Sequence, residues 1–479
     1  MSTFFIQQFG CRATQADGAA LERQLLDLGC TPAPDPLSAS FIVLNTCTVT
    51  AAADAQARDA IRKFHAQNPD ARLIVTGCYA QRAPEELAAL PGVSHVVGNS
   101  HKPQIPSLIA AARDVIPSSA LFPDSALPFH SFLPEPQPAS SAQILIGDIF
   151  AHTKLLSAPL LGGEVGHTRP TLKIQDGCNL RCSYCVIPFV RGKSRSLPPD
   201  SVIREIQSLA SPHSPNPARE IVLSGINLGS YGRDLSPGIT LLSLLRRILD
   251  ETSLDRLRIS SIEPQDVTQD FVALFASTDR LAQHFHMPLQ SGSDRILAAM
   301  HRRYRASHYA RRVELIRDLL PHAAIGADVI CGFPGESEAD FAATLDFIQR
   351  LPFTYLHVFS FSARPGTPAA SLPGQVPAPL VKRRARELRA LSESKSAAFR
   401  RSQLGRILRV LTLHRSAHDG LAGVTPALSS NYLEVQIPGI FTSNQWLETE
   451  IGQLEGNCLC GQLVGQFHPT LSESPALRA

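Results

Sequence analysis

The sequence contains no run of about 18 apolar residues, which is the length a helix needs to cross a membrane. Residues 1–8 also lack a basic stretch followed by a long apolar one, so no signal peptide is predicted. The ten cysteines are therefore not expected to form disulfides, which occur mainly in secreted proteins. We predict a cytoplasmic protein whose cysteines serve metal or redox chemistry.

A strong excess of either charge is absent as well. The net charge of +3 is too small to indicate a partner by itself. The 44% hydrophobic and 18% charged residues are typical of a globular protein. The 479 residues suffice for about two to four domains, so function has to be inferred from local patterns.

Three cysteines stand close together in the middle of the chain, with the spacing C-x3-C-x2-C. They are Cys178, Cys182 and Cys185, and they follow an apolar run at 172–174 that predicts a strand. A structural zinc site would need a fourth cysteine or histidine at similar spacing, and the next such residue is His213. Three thiolates without a fourth suit a 4Fe–4S cluster with one iron left open. The spacing favours a cluster, with zinc as the alternative.

Three further cysteines, Cys11, Cys47 and Cys78, each follow a predicted strand of the N-terminal region. The predicted strands are 3–9, 41–44, 72–76 and 93–97, and the predicted helices are 17–28, 48–66 and 84–90. Because strands and helices alternate, we expect a parallel sheet whose strand ends share one edge. The three thiols would then converge on one metal site. The alternative is three buried cysteines that act as small hydrophobic residues.

The middle of the chain predicts a linker and then a barrel. Residues 101–168 are rich in proline, serine and alanine, and they predict a linker with one short helix at 106–115. From residue 171, strand and helix patterns alternate six times, which predicts an open, partial (β/α)6 barrel. The predicted strands are 171–175, 220–224, 256–260, 284–289, 325–331 and 354–361. Polar and glycine-containing stretches follow these strands and would outline a pocket on one rim.

Positive charge is concentrated in three places. Arg181, Arg191, Lys193 and Arg195 surround the central cysteine motif, and residues 380–401 predict a basic helix. Between them lies a further group, Arg302, Arg303, Arg305, Arg311 and Arg312. Each group is either a solvated face or a contact for a phosphate backbone. In the last region, 404–469, two stretches alternate with period two, which predicts a small antiparallel β-barrel.

Several stretches resemble the radical S-adenosylmethionine (radical SAM) methylthiotransferases. They are Gly10-Cys11-Arg12, 45–50, 76–81 and 176–185. The sequence departs from the family's pattern at Thr14, where asparagine is usual. The resemblance implies an N-terminal methylthiotransferase domain (1–100), a linker (101–168), a radical SAM core (169–400), a TRAM-like RNA-binding barrel (401–469) and a tail (470–479).

The resemblance also implies S-adenosylmethionine and two 4Fe–4S clusters as cofactors. One cluster, on Cys178, Cys182 and Cys185, would bind and cleave S-adenosylmethionine at its open iron. An auxiliary cluster, on Cys11, Cys47 and Cys78, would carry the sulfur to be transferred. The implied cofactor-binding residues are Tyr184, Ser224, Gly225, Gln290 and Ser291, and no side chain is assigned a catalytic role.

The implied reaction replaces the hydrogen on carbon 2 of N6-threonylcarbamoyladenosine, at position 37 of tRNA, with a methylthio group. The implied partners are the anticodon loop of tRNA, an electron donor such as flavodoxin or ferredoxin, and a sulfur donor, with no membrane. The loops 224–232 and 260–264 resemble this branch of the family. The alternatives are isopentenyl-adenosine in tRNA, an aspartate of a ribosomal protein, and a zinc-stabilised RNA-binding protein without enzymatic activity.

A threonylcarbamoyl group carries a carboxylate, so its pocket should offer cations or hydrogen-bond donors. Arg181, Arg191 and Arg195 lie on the cluster loop and are the predicted candidates. Glu263 would repel a carboxylate, and we expect it to face a hydroxyl, an amide or an arginine.

Overall fold

The computed structural model of the chain describes residues 2–113, 142–152, 155, 168–214, 216–414 and 423–466. Most of the predicted linker and all of the predicted tail, 470–479, lie outside the described residues. Within the described ranges, no helix is both long enough and apolar enough to span a bilayer.

The first group of elements is a parallel α/β sheet, as predicted. Its strands are β1 (Thr3–Gln8), β2 (Thr31–Pro32), β3 (Phe41–Thr46), β4 (Arg72–Gly77), β5 (Val93–Gly98) and β6 (Gln143–Leu145), in the order β2-β1-β3-β4-β5-β6. Its helices are α1 (Arg12–Asp27), α2 (Ala51–Gln67), α3 (Cys78–Arg82), α4 (Pro84–Ala88) and α5 (Ile105–Arg113). All six residues of the central strand β3 are buried, as expected for a strand covered on both faces. The edge strand β6 comes from the segment predicted as a linker.

Two helices of this group begin three or more residues away from their predicted starts. α1 begins at Arg12 rather than Asp17, because its first turn carries no leucine to mark the apolar face. α2 begins at Ala51 rather than Thr48, because the extended Thr50 caps it and accepts a hydrogen bond from the Ala53 N–H at 3.2 Å.

The second group is the predicted partial barrel of six parallel strands, with helices in the connections between them. Its strands are β7 (Thr171–Lys173), β10 (Glu220–Ser224), β11 (Arg256–Ile259), β12 (His284–Gln290), β13 (Ala324–Cys331) and β14 (Tyr355–Ser360); a short antiparallel pair, β8 (Gln175–Asp176) and β9 (Arg195–Ser196), stands beside it. The helices are α6 (Ile187–Arg191), α7 (Pro199–Leu209), α8 (Leu241–Glu251), α9 (Gln269–Ala276), α10 (Asp294–Ala299), α11 (Ala306–Leu319) and α12 (Glu338–Arg350). The halves β7-β10-β11 and β12-β13-β14 meet where the Ile262 N–H donates to the His286 carbonyl at 2.9 Å.

A long helix, α13 (Ala378–Arg401), leads into a closed five-stranded barrel, which confirms the predicted C-terminal fold. The strands are β15 (Ile407–Thr412), β16 (Val424–Ser429), β17 (Glu434–Pro438), β18 (Trp446–Glu455) and β19 (Cys458–Gln466), in the order β15-β16-β17-β19-β18. The basic helix is not solvated all round, because Arg384 is 1% exposed and pairs with Glu336 at 2.7 Å.

The C-terminal barrel closes the amino-terminal end of the partial barrel. Arg256 and Arg258 each donate at 3.0 Å to a carbonyl oxygen, of Leu428 and Ser429 respectively. Both arginines also pair with the fully buried Glu220. Burial favours the neutral form of Glu220, but the two guanidinium groups outweigh it and hold the pKa of this carboxyl well below its usual value.

The N-terminal sheet closes the open side of the partial barrel. At one side, Lys173 of β7 pairs with Asp17 of α1. At the other side, the Ala51 N–H at the start of α2 donates at 3.2 Å to the hydroxyl of Ser362, just after β14. The interior of the barrel is therefore bounded by elements from all three groups.

Candidate functional site

The N-terminal triad, Cys11, Cys47 and Cys78, lies at one edge of the parallel sheet. Cys47 and Cys78 directly follow the paired strands β3 and β4, and Cys11 follows the neighbouring strand β1. Gly10 has a φ of 92°, and a Cβ atom there would lie 2.8 Å from the sulfur of Cys47. Only glycine lets these two segments approach so closely, and the three cysteines come together as the strand pattern predicted.

The thiols of this triad interact with one another. Cys47 and Cys78 are buried, whereas Cys11 is exposed. Burial raises the pKa of Cys47 to about 12, and the neighbouring Cys78 and Cys11 thiols contribute to the rise. Such thiols ionise together when a metal neutralises them, because coordination deprotonates a thiol outright. The donor set therefore fits a metal cluster reached from the side of Cys11.

The core triad, Cys178, Cys182 and Cys185, occupies the loop that follows β7 and β8. The Leu180 N–H lies 3.4 Å from the sulfur of Cys178, and the guanidinium of Arg302 lies 3.5 Å from that of Cys182. Burial raises the pKa of Cys178, and it raises the pKa of Cys185 to about 12. Donors aimed at sulfur are among the features that tune iron–sulfur clusters, so this set fits such a cluster as well.

Arg191 lies between the two triads. Its side chain is buried and donates to both carboxylate oxygens of Asp176, at 3.0 and 3.2 Å, and to Asp17 at 3.2 Å. Its charge also interacts with the thiols of Cys78 and Cys11. Asp176 shortly precedes the core triad, so one arginine connects the surroundings of both cysteine groups.

Two lysines extend this arrangement into what we call the junction cluster: Asp17, Lys102, Lys173, Asp176 and Arg191. Lys102 donates to Asp17 at 2.9 Å, and Lys173 pairs with Asp17 and, at 3.2 Å, with Asp176. Burial alone would raise the pKa of Asp17, but the charges of Lys102, Lys173 and Arg191 lower it to about 2. The N-terminal sheet and the barrel are thus joined through buried charges.

Most of the junction cluster is not predicted by the sequence. Lys102 belongs to the segment predicted as a linker without chemistry, and its side chain is nevertheless buried. Asp17 and Lys173 are 156 residues apart in the chain, so no local pattern marks them as partners. Asp54 and Arg364 form a second buried pair between the same two groups of elements, at a separation of 310 residues.

Thr14, where the family usually has asparagine, still makes a polar contact to the first cysteine. Its hydroxyl lies 3.6 Å from the sulfur of Cys11 and 3.2 Å from the guanidinium of Arg191. The substitution therefore keeps a hydrogen-bonding group at this position.

The arginines predicted to face a substrate carboxylate are placed differently from the prediction. Arg191 and Arg195 are buried and both pair with Asp176, so they are committed to the protein itself. Arg181 is exposed, and its guanidinium carbon lies 5.5 Å from the ring centre of Phe150. Sequence proximity to the cysteines did not indicate which of these charges were already neutralised.

The predicted cofactor-binding residues lie around the carboxyl-terminal rim of the partial barrel. They are Tyr184, Ser224, Gly225, Gln290 and Ser291. Gln290 has a φ of 66°, a conformation that is costly for a residue with a side chain and is typical of functional sites. Ser291 is fully buried, and its hydroxyl lies 3.2 Å from that of Thr344. The Ser291 side chain therefore fixes the rim and does not open into the pocket.

Glu263 faces an arginine, which confirms the expectation for this residue. Arg302 pairs with Glu263 at 2.5 Å, and the same guanidinium reaches Cys182 of the core triad. Burial favours the neutral form of Glu263 and raises its pKa, although Arg302 opposes this effect. Tyr184 is packed nearby, and burial raises its pKa as well.

Comparison with known proteins identifies the family. Residues 3–98 match the uncharacterized protein family UPF0004, and residues 172–348 match the Radical SAM superfamily. The threonylcarbamoyladenosine tRNA methylthiotransferase MtaB of Aquifex aeolicus is 33% identical over 90% of this chain and 96% of its own length. The chain belongs to the radical SAM methylthiotransferases. The tRNA-2-methylthio-N(6)-dimethylallyladenosine synthase of Sphingopyxis alaskensis, another relative, is also 33% identical, over 91% of this chain and 92% of its own.

A solved structure agrees with the fold of this methylthiotransferase. The radical S-adenosylmethionine methyltransferase TsrM of Kitasatospora setae matches with a TM-score of 0.53 and 17% identity, over 77% of this chain and 74% of that one. As a radical SAM enzyme, the methylthiotransferase uses S-adenosylmethionine and a 4Fe–4S cluster.

Proposed function

We propose that this methylthiotransferase acts on tRNA and adds a methylthio group to carbon 2 of N6-threonylcarbamoyladenosine at position 37. The main support for the proposal is the position of Arg191, whose buried charge lies between the two cysteine triads. Such an arrangement provides two metal centres beside one barrel interior, where a substrate and a cofactor can meet.

In this proposal the core triad holds the cluster that binds S-adenosylmethionine, and the N-terminal triad holds a second 4Fe–4S cluster. When bound, these clusters supply the electron for reductive cleavage of S-adenosylmethionine and the sulfur for transfer. The protein supplies binding and orientation. Gly225 follows β10, where a Cβ atom would lie 2.9 Å from Oε1 of Gln175, and Ser224 and Gln290 border the same rim.

The lining of the barrel interior supports a polar substituent on the adenine. Side chains alternate along a strand, and the outward-facing Phe285 and Met287 of β12 belong to the core beneath the helices. His284 and His286 therefore face the interior, and by the same alternation Asp328, Tyr355 and His357 do so from β13 and β14. An isopentenyl group would favour an apolar wall instead.

These interior side chains form one hydrogen-bonded chain. The hydroxyl of Tyr355 lies 2.7 Å from Nε2 of His284 and 3.0 Å from Nδ1 of His286. Oδ1 of Asp328 lies 2.9 Å from Nε2 of His286 and 3.2 Å from Nδ1 of His357. These hydrogen bonds fix the orientation of each ring. The interior wall therefore offers defined polar contacts to a urea, a hydroxyl or a carboxylate.

The proposal is tested by nucleoside mass spectrometry of tRNA from cells with and without the gene for this protein. Deletion should abolish the 2-methylthio form of N6-threonylcarbamoyladenosine and let the unthiolated nucleoside accumulate. Cells that carry the gene on a plasmid serve as the control and should regain the 2-methylthio form. Loss of the isopentenyl-derived nucleoside, or of the methylthio group of a ribosomal protein, would contradict the substrate assignment and leave only the reaction class.

A second expectation concerns tRNA binding by α13. Arg383 pairs with Glu338 and Arg384 is buried, so the cations available to a phosphate backbone include the exposed Lys382 and Arg386. Charge reversal at both should weaken tRNA binding. It should also flatten the dependence of log K on log salt by about 1 for each phosphate that the variant no longer binds.

The salt dependence is measured by filter binding over a range of salt concentrations. Reversal of Arg62 and Lys63, two exposed cations on α2, is the matched control and should leave the slope nearly unchanged. An unchanged slope in the α13 variant would mean that this helix presents only a solvated face.

A further inference from the structure

The cations around the barrel interior are nearly all neutralised by carboxylates of the protein. Arg256 and Arg258 pair with Glu220, and Arg302 pairs with Glu263. The two buried arginines of the cluster loop are likewise committed to Asp176. A substrate carboxylate would therefore need a cation from another element.

Arg12 is a cation of this kind. It is the first residue of α1 and directly follows Cys11 of the N-terminal triad. Among the described residues, no carboxylate lies within ion-pair distance of its guanidinium, whose hydrogen-bond partner is the hydroxyl of Tyr432 at 3.4 Å. The guanidinium is half-buried and has five N–H donors, so donors remain for an anionic ligand.

The guanidinium of Arg12 lies at the barrel interior. Its partner Tyr432 comes from the C-terminal barrel and stacks on His284, with 4.3 Å between the ring centres. Tyr432 has a φ of 64°, so its backbone is held in a conformation that side-chain-bearing residues rarely adopt. The charge of Arg12 acts on His284 and Tyr355, both of which belong to the hydrogen-bonded chain of the interior wall. Arg12 thus directly follows Cys11 of the N-terminal triad in the chain, and its guanidinium reaches the polar wall through Tyr432.

We propose that Arg12 binds the carboxylate on the N6 substituent of the substrate adenine and thereby determines substrate specificity. This inference rests on the proposed function. Carbon 2 of adenine and the carbon that bears N6 both flank N1, so a group that contacts the N6 substituent has to lie near the site that delivers sulfur to carbon 2. A residue next to Cys11 meets this requirement. A guanidinium also matches a carboxylate in geometry, with two parallel N–H donors.

The test compares the affinities of two tRNAs for the full-length, anaerobically reconstituted protein. One tRNA carries threonylcarbamoyl at adenosine 37 and the other is the same tRNA without it. The wild-type protein should bind the modified tRNA about 10- to 100-fold more tightly, the range expected for a hydrogen-bonded charge. Arg12→Gln should lose this preference, and Arg12→Lys, which keeps the cation without the fork of donors, should retain part of it. Arg23→Gln, an exposed position on the same helix, is the matched control and should keep the preference.

Three other outcomes are distinguishable. If Arg12→Gln keeps the preference of the wild-type protein, the inference is wrong and the proposed function stands. If Arg12→Gln weakens the binding of both tRNAs by the same factor and lowers the slope of log K against log salt for both, Arg12 contacts a backbone phosphate. The inference is then overturned. If the wild-type protein itself shows no preference and does not methylthiolate the modified tRNA, the proposed function fails together with the inference. Iron content and the visible absorption spectrum show that each variant has kept its clusters.

Discussion

Alanine at all three positions of the core triad should abolish reductive cleavage of S-adenosylmethionine. Cleavage requires the open iron of the cluster that these thiolates are proposed to hold, and alanine provides no ligand. The loss should be complete, because Cys178, Cys182 and Cys185 have no substitute cysteine in the same loop. The measurement is the formation of 5′-deoxyadenosine by the anaerobically reconstituted, reduced enzyme, followed by mass spectrometry.

Alanine at all three positions of the N-terminal triad should give a different result. The core triad remains intact in this variant, so 5′-deoxyadenosine should still form, whereas no methylthiolated nucleoside should appear. Iron should fall from about eight to about four atoms per chain, which is the content of one 4Fe–4S cluster instead of two. The matched control is Cys30→Ala, because Cys30 is buried in an apolar core away from both triads and should leave iron and product unchanged.

Two results would contradict these assignments. Normal methylthiolation by the variant of the N-terminal triad would show that this triad does not serve sulfur transfer. Stoichiometric zinc without charge-transfer absorption in the wild-type protein would show that the triads are structural zinc sites. The two results are independent, because the first concerns the role of one triad and the second concerns the metal itself.

The sequence predicts the triads well because their positions follow from local patterns. Cys47 and Cys78 each follow a short apolar run, and such runs predict strands without any knowledge of the tertiary structure. Since parallel strands present their carboxyl ends at one edge, the convergence of the thiols follows from the strand assignments alone. The six strands of the partial barrel are predicted for a similar reason, since each contains apolar residues, in a run or alternating with polar ones, between polar turns.

The charged residues are predicted less well because their partners are distant in the chain. Arg384 lies in a strongly basic helix, and only the fold shows that Glu336 neutralises it. Lys102 lies in a segment whose composition is typical of a linker, and only the fold buries it against Asp17. Charge patterns along the sequence indicate the sign of the charge on a surface. Burial and ion pairing decide whether a given charge is available to a ligand.

A substitution in the junction cluster should have the second large effect, a loss of stability, because the charges of this cluster are buried on all sides. Asp17 accepts from Lys102, Lys173 and Arg191, and its side chain is 4% exposed. Removing one partner of a buried ion pair leaves the other partners charged and without compensation, which costs about 3–5 kcal/mol. Asp17 is the shared partner of three cations, so it is the member whose loss should be most costly.

Asp17→Asn should therefore lower the free energy of unfolding by about 3–5 kcal/mol, measured by urea denaturation followed by circular dichroism. The control is Asp59→Asn, an exposed partner of Arg62 on α2, which should change stability very little. The pKa of Asp17 is lowered to about 2, whereas an aspartate in an unfolded chain titrates near 4. The contribution of this carboxylate is therefore fully present above about pH 4 and is lost only as the pH falls toward 2, so protonation of Asp17 should not reduce the stability of the wild-type protein between pH 6 and 8. A loss in Asp17→Asn no larger than that in Asp59→Asn would mean that the junction cluster does not join the two halves of the site as the structure indicates.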